Sequence, residues 1–253
     1  MVHLLPLPGS PRFGGSIDEV VEVARADAET LIAAGFPALI VENFGDTPFY
    51  TDQVPPETVA AMTVAVAAVA TSGVPVGVNV LRNDGLAALG IAAATGARFI
   101  RVNVLTGMMY TDQGPIVGRA ADIQRRRAVI APDVEVWADV MVKHATPPPG
   151  MDLGQAARDA VERGLADAVI LSGSGTGEEP SRQDGEMIKR ALPPGTRIVV
   201  GSGAGLHNLR PLLDVADTVI VGTSIKVDGE TANRPDPVRA RALVEKAAER
   251  GLI

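Results

Sequence analysis

The chain has 253 residues, a net charge of −7 and a hydrophobic fraction of 46%, which is the composition of a folded globular protein and excludes a disordered one. The acidic balance argues against nucleic acid or another polyanion as a partner. Cysteine is absent, which excludes disulfides, thiolate nucleophiles and Cys-ligated zinc or iron–sulfur.

The N-terminal stretch "MVHLLPLPGSPRFGG" has no charged n-region, and Pro6 and Pro8 break its apolar run, so no signal peptide is expected. No run reaches about 18 apolar residues without polar breaks. "VAAMTVAVAAVA" (59–70) comes nearest and reads as a buried helix. These features predict a cytoplasmic protein with no membrane span.

Strands are expected at 1–5, 37–43, 75–81, 98–104, 134–140, 167–173, 197–203 and 217–223, each a short β-branched run. An Ala-rich helical pattern follows each one. The first helix is expected at 16–35, where Ser16 and Glu19 make a capping box and Gly35 supplies the stop. Further helices are expected near 56–72, 85–95, 118–130, 153–163, 182–191, 206–215 and 235–250. Arg125, Arg126 and Arg127 form the one basic cluster, inside a helical pattern, and read as a solvated face. Strand–helix alternation means parallel strands joined by crossover helices. Eight such units with no composition break, in about 250 residues, favour an α/β fold of the (β/α)8 TIM-barrel type over a doubly wound open sheet. The whole chain, 1–253, is expected to form one domain.

The stretch "VVGSGAGLHNL" (199–209) resembles a dinucleotide fingerprint. Its spacing is Gly-x-Gly-x-Gly rather than Gly-x-Gly-x-x-Gly, and it falls on the seventh unit rather than the first. In a barrel, phosphate sites are often built by the loops after strands seven and eight. The second such loop is present as "VIVGTSIK" (219–226). Backbone N–H groups of Gly203, Ala204, Gly222 and Thr223 are therefore expected to hold an anion, with a following helix adding its positive end. The alternative is that these glycines only permit tight turns.

Catalytic groups of a barrel stand at the C-terminal ends of its strands. Here those ends carry Glu42, Asn43 and Asp46, then Asn79, Arg82 and Asp84, then Arg101 and Asn103. Asp139, Lys143 and His144 follow on the fifth unit, Ser172, Ser174 and Thr176 on the sixth, and Ser202 on the seventh. In "VEVWADVMVKHA", alternation puts Glu135, Trp137 and Asp139 on the face toward the lumen. A buried carboxylate needs a partner, and Lys143 is the candidate, as proton shuttle, Schiff-base amine or plain counter-ion. Asp139, Lys143 and Glu42 are thus the candidate catalytic residues. Asn79, Asn103, His144, Ser172 and Ser202 are the candidate substrate contacts beside the glycine turns. The three histidines, His3, His144 and His207, lack zinc spacing and read as rim residues, and no metal ligand is assigned. Glu42, Asp46 and Asp139 are the set that could hold a hard cation such as Mg2+. The stretch 105–120 reads as mostly a long loop, whose Met108, Met109 and Tyr110 are suited to a ligand, to the rim or to a second subunit in a homo-oligomer.

"MVHLLPLPGSPRFGG", "VENFGDTPF", "VGVNVLRND", "FIRVNVLTGMMYTDQGPIVGRA", "ADVMVKHA", "LSGSGTG" and "VGTSIKVDG" together resemble the BtpA family, nearly end to end. The family takes its name from a factor needed for photosystem I accumulation in cyanobacteria and is regarded as a barrel of the ribulose-phosphate-binding type. The resemblance implies the barrel and the phosphate site. Two functions remain open on the sequence: an enzyme of lyase, aldolase or isomerase chemistry acting on a small phosphorylated metabolite, or a non-catalytic assembly or stability factor.

Overall fold

Strands and helices alternate in the computed structural model, which describes residues 1–142, 144–173 and 181–249. Eight parallel strands hydrogen-bond in chain order: β1 (Val2–His3), β2 (Leu39–Glu42), β3 (Val76–Asn79), β4 (Phe99–Val102), β5 (Glu135–Val140), β6 (Ala168–Leu171), β7 (Arg197–Val200) and β8 (Thr218–Val219). The sheet curls until its ends meet, where the Met1 amine donates to the Val221 carbonyl at 2.8 Å. The result is the expected (β/α)8 barrel. No helix among the described residues is long and apolar enough to cross a membrane.

The helices are α1 (Ile17–Ala33), α2 (Pro56–Ala70), α3 (Gly85–Thr95), α4 (Ala120–Ile130), α5 (Leu153–Arg158), α6 (Arg182–Ala191), α7 (Leu209–Leu213) and α8 (Pro237–Ala248). Their starts follow from side-chain caps. Ser16 Oγ accepts from Glu19 N at 3.1 Å, and Asp84, Asp152, Ser181 and Asp236 cap α3, α5, α6 and α8 in the same way. Helix α1 buries Val20, Ala24, Ala28 and Leu31, one apolar stripe at helical spacing, against the sheet. Gly35 then turns the chain at φ +99°, a conformation that suits glycine alone.

Two expectations are corrected. The helix expected at 206–215 is only Leu209–Leu213, because Asn208 ties off the chain before it: its Oδ1 accepts from Gly205 N and its Nδ2 donates to Gly203 O, both at 2.8 Å. The stretch 105–120 is a hairpin of strands Met108–Thr111 and Gly114–Val117. Its turn is closed by Thr111 Oγ1 donating to Gly114 O at 2.8 Å, with Gly114 at φ +107°. A short strand beyond β5, Ala145–Thr146, pairs with Thr111 and Tyr110, so the loops after β4 and β5 form one small sheet. Buried Met109 and Ile116 pack there with Val104 and Val142.

Inward-facing residues alternate along every strand and fill the lumen in layers. The lower layers are apolar: Ile40, Phe99, Trp137, Ala168, Ile170, Val199 and Ile220. Phe99 and Trp137 stack with centroids 4.0 Å apart. Glycine at position 77 is what admits the Phe99 ring, since a Cβ there would lie 2.2 Å from it. Below the stack, Trp137 Nε1 donates to Glu135 Oε2 at 2.7 Å, and Arg197 pairs with the same carboxylate at 2.6 Å. Two residues further along each strand, the same inward face becomes polar, and this layer is the candidate site.

Candidate active site

The polar layer consists of His3, Glu42, Asn79, Arg101, Asp139, Ser172, Gly201 and Gly222. Its centre is an ion pair between neighbouring strands. Arg101 Nε and Nη2 donate to the two oxygens of Asp139 at 2.8 and 2.9 Å, and both side chains are almost wholly buried. Asn103 Nδ2 adds a third donor at 3.3 Å and Ser172 Oγ a fourth at 2.9 Å. Burial alone would depress the Arg101 pKa, but the charge and hydrogen bonds of Asp139 outweigh it and hold the guanidinium above its ordinary value. Asn79 Nδ2 donates to Arg101 O and to Asn103 Oδ1, both at 3.1 Å, which braces the pair from β3.

Asp139 therefore lies on the lumen face as alternation predicts, with a counter-ion that alternation did not assign. Its four acceptor sites are all occupied, which makes it an anchor for Arg101 rather than a free base. Lys143, the partner expected from sequence, lies outside the described residues, as do Ser174 and Thr176.

Above this pair is a cavity of about 160 Å³. On one side stand His3, Glu42, Phe44 and Arg101, and on the other the backbone of 201–204 and 222–224. Glu42 is 7% exposed, and its Oε1 is 3.6 Å from His3 Nε2. The His3 ring stacks on Phe44 at 4.7 Å, and its Nδ1 is 3.4 Å from the Thr231 carbonyl. His3, Phe44, Arg101 and His207 are among the cavity residues that the sequence reading did not assign to the site. Alternation in "MVH" carries the signal for His3, because it shares the face of Met1.

The opposite wall is held by its own hydrogen bonds. Ser224 Oγ donates to Ala204 O at 2.6 Å, Thr223 Oγ1 and Thr231 Oγ1 are 2.8 Å apart, and Ser202 Oγ accepts from Gly173 N at 3.2 Å. Gly203 sits at φ +76°. The glycines divide by role. A Cβ on Gly201 would strike Ile170 Cγ2 at 2.4 Å, so that glycine is required for packing. A Cβ on Gly222 would meet His3 Cε1 at 3.5 Å and Met1 Cγ at 3.7 Å, ordinary contacts. There is therefore space for a methyl group at 222, where it would occupy part of the cavity.

Some expected members stand elsewhere. His144 is exposed, at φ +54°, and does not line the cavity. The Glu42, Asp46 and Asp139 carboxylates do not converge. Asp46 accepts from Leu7 N at 2.8 Å and Asn43 Nδ2 at 3.0 Å on the far side of the 3-10 turn Phe44–Asp46, and Asp139 is taken by Arg101. The proposed Mg2+ ligand set is thus not assembled, and no group of three acidic or histidine side chains suited to a metal occurs among the described residues. The helix dipole expected beside the anion site is also small, because α7 has five residues.

A family profile described as "BtpA family" matches residues 1–249. The Photosystem I biogenesis protein BtpA of Synechocystis sp. is 48% identical over 250 residues, covering 98% of this chain and 87% of that protein. An uncharacterized protein of Thermococcus kodakarensis is 49% identical over 252 residues, 98% of this chain and 94% of its own. The putative sgc region protein SgcQ of Escherichia coli is 31% identical over 252 residues, 97% and 92% of the two chains. Among solved structures, phosphoribosyl anthranilate isomerase from Thermus thermophilus superposes with a TM-score of 0.57 at 16% identity, covering 89% of this chain and 94% of the other. A KDPGal structure superposes with a TM-score of 0.60 at 14% identity, covering 92% of each. The structural likenesses support the barrel, and the sequence matches, which span nearly the full length, go further: this chain belongs to the BtpA family.

Proposed function

We propose that this barrel is an enzyme that acts on a small phosphorylated metabolite, by lyase, aldolase or isomerase chemistry. The observation that carries the reading is the cavity itself, where two glycine turns face Glu42, His3 and Arg101. In this reading the phosphate sits on the backbone N–H groups of Gly203, Ala204, Gly222 and Thr223, beside Ser202. Glu42, with His3 within reach of its carboxylate, carries the proton. Arg101, fixed by Asp139, Asn103 and Ser172, orients or neutralises the reacting part of the substrate, and Asn79 holds that framework in register. Lys143 is the candidate second proton carrier or Schiff-base amine. Two structural neighbours, phosphoribosyl anthranilate isomerase and thiamine phosphate pyrophosphorylase, carry phosphorylated compounds in their names. The rival reading is a non-catalytic assembly factor, for which the name of the Synechocystis relative speaks. A scaffold has no need of a buried carboxylate, an imidazole and a guanidinium around one cavity, and this favours the enzyme.

The test is a thermal-shift screen of phosphorylated metabolites, because a ligand that binds only the folded state raises the apparent Tm. At least one sugar phosphate is expected to stabilise the protein. Gly222→Ala should weaken that ligand by about tenfold, roughly 1.4 kcal/mol, while the free protein still folds. Once a substrate is found, Glu42→Gln should lower turnover by about 10²-fold or more and keep phosphate binding. Lys143→Ala is expected to remove activity and keep binding as well. A screen in which no phosphorylated compound shifts the Tm, or a Gly222→Ala variant that binds as the parent does, overturns the reading.

A further inference from the structure

A second cavity, of about 320 Å³, opens beside the first. The turn Phe44–Asp46 divides the two: Phe44 lines the first, Asp46 and the adjacent Asn43 the second. Their chemistries are opposite. The first is lined by Arg101, His3 and His207, whereas among the described residues no Lys, Arg or His lines the second. A phosphate would therefore find no cation there, and its charge would be opposed by Asp46.

Asp46 is 9% exposed and accepts two hydrogen bonds, from Leu7 N and Asn43 Nδ2. A carboxylate has about four acceptor sites, so this one is under-supplied for its depth. Burial accordingly raises its pKa, against the hydrogen bonds that lower it. Ser10 Oγ is buried too. It lies near enough to Asp46 to ease the charge, without making a hydrogen bond of normal geometry to any described residue. The lining also includes the apolar Pro48, Phe49 and Val54, with Tyr50 largely exposed. A pocket of this size, apolar with a few convergent polar groups, is the usual form of a small-molecule site.

We propose that this second cavity binds an uncharged molecule that joins a flat apolar ring to amino or hydroxyl donors, the chemistry of an unphosphorylated nucleoside. Its donors complete the hydrogen bonding of Asp46, the Ser10 hydroxyl gains a partner, and the ring lies against Pro48, Phe49 and Val54. The proposal does not depend on phosphate binding in the first cavity.

The experiment is calorimetric titration of the full chain with adenosine, guanosine, cytidine and uridine, beside inorganic phosphate and ribose 5-phosphate. At least one nucleoside is expected to bind with a Kd of about 1 mM or tighter. Asp46→Asn and the cavity-filling Thr58→Met should each weaken it by about tenfold or more, with phosphate or sugar-phosphate binding unchanged. Ser10→Ala removes only a hydroxyl and should weaken it a few-fold, which keeps the test open if either of the other variants fails to fold. Absence of heat with all four nucleosides, or nucleoside affinity that survives the variants, overturns the proposal. Failure of phosphate to bind while a nucleoside binds would strike the proposed function alone.

Discussion

Arg101 and Asp139 are a buried pair in which each residue makes the other tolerable. Removing one leaves an uncompensated charge in the lumen, which costs about 3–5 kcal/mol, whereas replacing both with apolar residues of similar volume is often close to neutral. Arg101→Met should therefore destabilise the fold by that amount in urea denaturation, and Arg101→Met with Asp139→Leu should recover most of it. A double variant no more stable than the single one would mean that Asn103 and Ser172, not the arginine, set the cost. Lys226 is the opposite case. It is 1% exposed and, among the described residues, has no ion-pair partner, since nearby Asp27 is bonded to Arg234. Burial lowers its pKa from 10.5, with Asp27 opposing the shift and Arg234 adding to it. A base whose folded pKa is depressed costs stability wherever it must be charged. That penalty is complete below the folded pKa and disappears as pH rises from there to 10.5. Lys226→Met should therefore raise the Tm at neutral pH, by about 2–4 °C for each kcal/mol recovered. Its advantage over the parent should shrink as pH approaches the ordinary lysine value, and a gain that grows with pH would contradict this account. At this scale the sequence was partly legible. Period-two alternation put Asp139 toward the lumen, but it carries no information on which neighbour on the next strand lies level with a residue. That register, Arg101 beside Trp137 and Asp139 beside Ile170, decides that Arg101 is the counter-ion.

The helices were the most legible elements, because Ser16, Asp84, Asp152, Ser181 and Asp236 each announce a start by chemistry that acts within three residues. The hairpin after β4 was not. Its strands are four residues each, they carry Met, Gly and Pro, and the first of them also pairs with a partner more than thirty positions away, at Ala145–Thr146. Non-local pairing of that kind leaves little trace in a short window. The hairpin is held to the barrel through Ile116 and Met109 against Val104 and Val142. Ile116→Ala removes a buried side chain at a site of few layers, with a cost of about 2–5 kcal/mol. The expected outcome is local: amide hydrogen exchange should accelerate at 108–117 and 145–146 while the barrel strands keep their protection. Uniform acceleration across the barrel would show that the small sheet is part of the same cooperative unit.

At the scale of the molecule, the unit count and chain length that favoured a closed barrel over an open sheet were sufficient, although β8 has only two residues of regular strand and the ring closes through a single bond from Met1 to Val221. The glycine turns on the last two strands were legible, and both line one cavity. The second cavity was not, since it is formed by the loops after β1 and β2 folding over Leu81, and loop conformation is the part of a barrel least constrained by pattern. The Phe99–Trp137 stack has a further consequence. With position 77 a glycine, the Phe99 ring lies over the neighbouring strand, the stack packs with Ile40, Ala168, Ile170, Val199 and Ile220 to fill the lumen, and the Glu135–Arg197 pair lies beneath it. The barrel is a cup and not a tube. Whatever is bound above Arg101 must leave by the opening through which it came; under the proposed function, a product held there would exclude the next molecule of substrate and act as a competitive inhibitor.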